Sequence, residues 1–494
     1  MTVLPPAAPG CVSCEARDER IAEQGRLLEG QAAAIGELKA DLVAVMEEVR
    51  ELRRRLGRNG GNSSMPPSAD DLPGRAPAAA KPKRGGRKPG KQPGAPGAHL
   101  AWSGAPDRTV PHFPAGSCPC GADLVAAADL GVAASHQVID VPAQTATVTQ
   151  HDLHETACSC GQVHRAAPPP QAGAPGTVTY GLGIQSLVVY LIAAHALPVH
   201  RAAELIEAMT GAKPSPGFVH GMISRAAAAV ADANKAIRAL IILAHVVSAD
   251  ETPIRVGPGP RTRKKYLLVA CTSLLTCYFL GGRSGKTFAA FVFPGTDGTV
   301  VVHDRYQNYD SFPGLIHQLC TAHLLRDLAD AAETCPGAHW PVQITQALQG
   351  LIHAANDARA QGLPAIPDGT AAPLRKAFRH GVILGLGQVR KIPGRKQEPF
   401  RELLRCLRDR QADVLRFTTD LRIPPTSSQA ERDLRPARTQ QKISGRLRSE
   451  KATRNRYAIR GYLSTTAKHG TSALTAIRDA LAGNPWIPPI PDPP

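Results

Sequence analysis

The first hydrophobic pattern in the chain repeats every seven residues. Ile21, Leu28, Ile35, Leu42, Val49 and Leu56 take successive a positions, and Gln24, Gln31, Leu38, Val45 and Leu52 take the d positions. This predicts a coiled-coil helix over 15–56, either a dimerising zipper or an amphipathic helix packed on its own protein. The glutamines at d, with Gly25, Gly30 and Gly36, weaken its first half. Periodicity vanishes over 57–109, where Pro, Gly, Ser and Ala dominate, a composition that reads as a disordered linker. Alternation at Gln137–Val141 and Thr145–Thr149 predicts two strands within a small module over 110–167. From 181 to 242 the period is helical, with helices over Gln185–Ala196, over His200–Met209 and from Phe218 onward. A helix-turn-helix DNA reader is one reading of this stretch. The break from Thr210 to Gly217 is long for that motif and favours plain helical packing.

Beyond residue 243 the period becomes strand-like. His245–Asp250 is an apolar run that ends in a carboxylate. Tyr266–Cys271 and Thr276–Leu280 follow after short turns, then a helix over Ser284–Phe293, then the buried run Gly298–Asp304, again ending in Asp. Three antiparallel strands, a helix and a further strand are the opening of a ribonuclease-H-like fold, in which the first and fourth strands are neighbours. Asp250 and Asp304, 54 residues apart in sequence, would then sit side by side. Adjacent carboxylates repel unless a proton or cation intervenes, and oxygen ligands suit Mg²⁺ or Mn²⁺. A third carboxylate is available at Glu431, just after Pro424 and Pro425. Ser428 to Glu431 also spells a capping box, in which the glutamate bonds the helix start and has no catalytic part.

Charge sharpens the picture. The chain of 494 residues carries 58 Lys and Arg against 41 Asp and Glu, a net charge of +17 that points to a polyanionic partner. The charge is local: ten basic and three acidic residues lie between Glu431 and Arg460. Arg432, Arg435, Arg438, Lys442, Arg446 and Arg448 are candidate DNA contacts, as are Lys81, Lys83, Arg84, Arg87 and Lys88 in the linker. No apolar run approaches the ~18 residues of a membrane span, and no secretory signal is evident, so the eleven cysteines are expected in a reducing compartment. Cys118-Pro-Cys120-Gly and Cys158-Ser-Cys160-Gly repeat one C-x-C-G pattern that could close a zinc site, or form two turns with free thiols. His112 or His164 could replace a cysteine, while Cys11 and Cys14 form an isolated C-x-x-C. Cys320 and His323 suggest either a second small metal site or ordinary packing. Gly281–Thr287 imitates a phosphate-binding P-loop, but the first glycine that motif needs would fall at Leu280.

Several motifs, in this order, resemble one family. They are Asn62–Asp70, the arm ending Lys91–Gly97, Asp250-Glu-Thr-Pro253, Asp304-Arg-Tyr-Gln-Asn-Tyr309, Cys320–Arg326, Glu431-Arg-Asp-Leu-Arg-Pro436 and Tyr462–Gly470. The chain resembles the large DDE transposases of the bacterial insertion-sequence sixty-six family, over nearly its whole length. The resemblance implies a catalytic domain over 243–470, with a helical insertion at about 320–425 and a C-terminal helix and tail over 471–494. It implies catalytic and Mg²⁺-binding roles for Asp250, Asp304 and Glu431, and assigns the first role to Asp250 and not to Glu251. It also implies cleavage at element ends, strand transfer into double-stranded target DNA, a homodimer or larger assembly, accessory transposition proteins and a cytoplasmic location. The C-x-C spacing departs from the usual ribbon, and Gln440–Arg446 lacks the expected aromatic residues. A nuclease or resolvase on the same fold, or a silent DNA-binding regulator, are the rival expectations.

Overall fold

The computed structural model describes residues 12–58, 100–141, 144–169, 178–257, 265–291, 298–389 and 399–489. The linker candidates Lys81 to Lys88, and Cys11, lie outside these residues. The chain divides into two compact units.

The smaller unit holds residues 79–150 and 208–212. Its described part is irregular. Cys118 donates its N–H to Ala122 and accepts from Gly121, which sits at φ +91°. Gln137–Val141 and the described residues from 144 to 149 are not strands. Val138, Ile139 and Val148 are 90%, 71% and 92% exposed, so the alternation has no core face to bury and no neighbouring strand to pair with.

The larger unit begins with α1, Val12–Leu56, one helix of 45 residues and so about 68 Å long. Its heptad positions face outward. Its last turns meet α7 (Thr321–Thr334) through Arg54, which pairs with the buried Asp330 at 3.0 Å. A short hairpin follows, β1 (Glu155–Ala157) with β2 (Val163–Arg165). Its turn repeats the geometry of the other cysteine turn, with Cys158 donating to Gln162 and accepting from Gly161 at φ +85°.

Four helices come next: α2 (Leu182–Val189), α3 (Val199–Thr210), α4 (Pro216–Ala229) and α5 (Ala231–Ile242). The expected helix to Ala196 ends early, because a π-helical turn takes Tyr190–Ala194. Val219, Met222, Ile223 and Ala226 of α4 are buried in the core.

The central sheet has five strands in the order β5-β4-β3-β6-β7. They are β3 (Val246–Ile254), β4 (Lys265–Cys271), β5 (Thr276–Gly281), β6 (Val300–His303) and β7 (Ile316–Leu319). The first three pair antiparallel, and β6 lies beside β3, the adjacency expected from sequence, and runs parallel to it. The fifth strand, parallel to β6, was not foreseen. One sheet face buries Val247, Ala249, Leu268 and Val301 against α2–α5 and α6 (Gly285–Phe291). The other face has two halves. Val300, Val302 and Leu319 meet the helices inserted after β7, while Leu267, Val269 and Cys271 meet Ala430 and Leu434 of α12 (Ser428–Ile443). The inserted helices are α7, α8 (Trp340–Ala360), α9 (Asp368–Gln388), α10 (Pro399–Asp409) and α11 (Gln411–Leu415). Helix α13 (Glu450–Lys468) covers the edge strand β5, and α14 (Ala473–Leu481) closes the chain's helical part. Gly461 lets α13 approach closely, since a Cβ there would stand 3.3 Å from the Thr276 carbonyl. Among the described residues no helix is long and apolar enough to cross a membrane.

Candidate active site

Strand register decides which carboxylates share a face. Val246, Val247 and Ser248 of β3 pair with Val300, Val301 and Val302 of β6. Continuing that parallel ladder sets Asp250 opposite Asp304. Alternation then puts Asp250 and Asp304 on the face of Val300 and Val302, the face also covered by α12. Glu431 lies in the first turn of α12. The three candidate carboxylates thus come from the middle of β3, which runs on past Asp250 to Ile254, from the end of β6 and from the start of α12.

Glu251 points the other way and is already partnered. Its carboxylate takes the Arg283 guanidinium at 2.6 Å and the Tyr309 hydroxyl at 3.2 Å. Arg283 in turn stacks over the Tyr306 ring at 3.6 Å. Asp250 has no such cation; its Oδ1 accepts only the Glu251 N–H at 2.8 Å. Burial, aided by the charges of Glu251 and Asp304, pushes its pKa up to about 7. Asp304 caps its own turn by accepting the Tyr306 N–H at 2.9 Å.

Glu431 is not a capping-box glutamate. The helix cap is Ser427, with no side-chain cap bond, and Glu431 instead accepts from Arg326 at 3.1 Å, with His323 at 3.6 Å. Both partners stand on α7, three residues apart. Burial works against a charged His323, but Cys320 and Glu431 outweigh it and raise its pKa to about 9. Cys320 is 1% exposed, and its sulfur accepts the Ser427 N–H at 3.2 Å. That bond, with Thr321 bonded to the Pro425 carbonyl, ties the start of α12 to the start of α7. With Glu431 turned toward Arg326, no three His, Cys, Asp or Glu side chains among the described residues form a ready metal site.

Two residues further on, Asp433 is buried and fully satisfied. It meets Lys468 at 3.1 Å, Thr276 at 2.9 Å, Gln429 at 3.0 Å and Ser464 at 3.3 Å. This network fixes α12 against β5 and α13. The sequence did not single it out; an acid two residues from another in an Arg-rich helix reads as surface. Arg326 did carry a signal, since Cys320–Arg326 sets His323 and Arg326 on one helical face. Arg432, Arg435, Arg438, Lys442, Arg446 and Arg448 are all exposed, along α12 and the segment after it. That segment bonds to the end of β3 through Gly257 and Leu447.

The four cysteines of the C-x-C-G turns fall in different units, Cys118 and Cys120 in one and Cys158 and Cys160 in the other. Hydrogen bonds within each turn lower the pKa of Cys120 and of Cys158, which favours the thiolate.

A family model described as Transposase IS66 family matches residues 177–455, which is more than half of the chain. A second, described as a family of unknown function (DUF6444), matches residues 13–101. No curated protein matches. The first match spans the sheet, the inserted helices and both α12 and most of the basic stretch after it, and on that ground the chain belongs to the IS66 family of transposases.

Proposed function

We propose that this chain cleaves DNA at the ends of its element and joins them to target DNA, on a ribonuclease-H-like core, with Asp250, Asp304 and Glu431 as the acting carboxylates. The observation that supports this most is the register of β3 and β6, which aligns two unpaired aspartates beneath the helix that bears Glu431. Family membership and the sheet order point the same way.

The carboxylates fit Mg²⁺ or Mn²⁺. Asp250, half-buried beside two other acids and with no cation in hydrogen-bond contact, favours a bound divalent ion over a bare charge. Held there, the ions would supply activation of the attacking hydroxyl and stabilisation of the leaving oxygen. The chain's own side chains do the rest. Arg326 and His323 hold Glu431 until it is needed and then offer positive charge to the phosphate. The exposed arginines of α12 carry the DNA backbone past the site. The exposed heptad face of α1 suits pairing with a second copy, which brings two element ends together.

The test is strand transfer with the full chain, Mg²⁺ and a labelled fragment carrying the element's ends, comparing the native chain with Asp304→Asn. Joined product from the native chain alone is the expected result. Cleavage without joining would make the protein a nuclease, and equal activity of the variant would remove Asp304 from the site.

A further inference from the structure

Beside Glu431 lies a second feature that the carboxylates do not explain. A cavity of about 260 Å³ opens between α12, α13 and the end of the helix that begins with α2. Four arginines line it: Arg432 and Arg435 from α12, Arg456 and Arg460 from α13. No carboxylate lines it, and among the described residues none of the four pairs with one. Gathered like charges repel, and each guanidinium offers a planar fork of donors matched to phosphate oxygens.

The walls also hold unsatisfied polar atoms, two donors on α13 and one acceptor, the Gln440 Oε1, on α12. The Nε of Arg460 and the hydroxyl of Tyr457 are buried and lack a hydrogen-bond partner. Unsatisfied buried donors are costly and call for an acceptor. The third wall is built irregularly. The helix breaks in the π-helical turn Tyr190–Ala194 and leaves through Ala196 at φ +58°, the one non-glycine residue with positive φ among those described. A β-carbon makes that conformation strained, and such strain persists where the surroundings enforce it. Here α13 and the end of α12 hold it. Arg456 donates to the Ile192 carbonyl at 3.0 Å and Arg460 to the Ala194 carbonyl at 3.1 Å, while Ser444 bonds the Ala196 carbonyl. Each guanidinium has five N–H donors. One from each holds the broken helix, which leaves further guanidinium donors on residues that line the cavity.

We propose that this cavity binds a phosphate group of a DNA strand that flanks the bond to be cut. Arg432 follows Glu431 directly, and Arg435 stands one helical turn on, about 6 Å along the axis. Successive phosphates of one strand rise about 3.4 Å per step, so a phosphate near the cleaved one comes within reach of the pocket. Seating it would fix the position of the strand along α12 before any metal is bound. The strand as the source of the phosphate rests on the DNA-cleaving reading above; the pocket itself does not.

The experiment measures DNA binding in EDTA, which silences the metal site. The probe is a short fluorescein-labelled duplex, followed by anisotropy across a NaCl series. Arg432→Gln with Arg435→Gln, both exposed positions, should raise Kd about tenfold and reduce the salt slope by about one. Arg456→Lys with Arg460→Lys keeps the charge but loses the fork, and should raise Kd by a smaller factor. Arg408→Gln on α10, away from the cavity, should change neither. Unchanged Kd and slope in the folded double variants would overturn the proposal. A parallel arm follows melting temperature in inorganic phosphate. Stabilisation that only the native chain shows, with DNA affinity equal in all, would assign the pocket to free phosphate and overturn the strand. A native chain that binds no DNA would sink the DNA-cleaving reading. Phosphate stabilisation lost in the variants would then still uphold the pocket, and none at all would overturn the pocket too.

Discussion

Asp433 on the helix that bears Glu431 is buried and Asp250 on the strand beneath it is half-buried, and their surroundings could hardly differ more. Asp433 sits against the sheet's far edge with a lysine, two hydroxyls and an amide as partners. Asp250 sits under the start of the same helix with one backbone N–H, and desolvation, aided by the charges of Glu251 and Asp304, raises its pKa to about 7. A satisfied buried charge is architecture. A buried charge left among its own kind is a site awaiting a cation or a proton. The contrast separates structure from chemistry around one helix, α12, which carries Asp433 and covers Asp250.

The largest effect should come from Asp433→Ala, which strands Lys468 in the interior. A loss of about 3–5 kcal/mol is expected, read as a lower midpoint in urea. Pairing Asp433→Leu with Lys468→Met should recover most of it, because apolar replacements of a whole buried pair are often tolerated. If the single variant is as stable as the native chain, the network does not hold α12.

The pH dependence should be smaller and of defined sign. The folded chain keeps a proton on Asp250 up to about pH 7, whereas an unfolded aspartate releases it near 4. Folded protein therefore binds more protons between these values, and the metal-free chain should lose stability as pH rises from about 4 to 7. Asp250→Asn should flatten that slope, and Mg²⁺ should stabilise the native chain more at pH 8 than at pH 6. Melting curves across pH in EDTA and in Mg²⁺ decide this; identical slopes in native and variant chains would deny Asp250 its raised pKa.

The smallest effect on folding belongs to α1. Ile35 and Leu42 are 51% and 59% exposed, so Ile35→Lys with Leu42→Lys should leave the melting of the core within about 0.5 kcal/mol of native. Sedimentation should nevertheless show a dimer become a monomer. A native chain that sediments as a monomer would leave the heptad without its partner.

Much of this was legible in the residues. Apolar runs ending at Asp250 and Asp304 gave both strands, and their adjacency followed from topology. Four things escaped. Gln137–Val141 alternates but is exposed, and alternation signals a strand only where one face is buried. The helix over Gln185–Ala196 breaks at a π-helical turn held from outside by Arg456 and Arg460, which local periodicity cannot report. Strand β7 is four residues long and precedes a helix directly, too short for a period. Glu431 fits a capping box by spacing, and only its tertiary partners Arg326 and His323 show that its carboxylate is used elsewhere.

The most direct measurement compares two neighbours on one strand. Asp250→Asn and Glu251→Gln each remove one negative charge, from opposite faces of β3. Cleavage of a labelled element end in Mg²⁺ should fall about a thousandfold or more with Asp250→Asn. Glu251→Gln, which loosens only the contacts with Arg283 and Tyr309, should stay within about tenfold of native. Equal loss in both, or loss in Glu251→Gln alone, would contradict the assignment that the sheet's register makes.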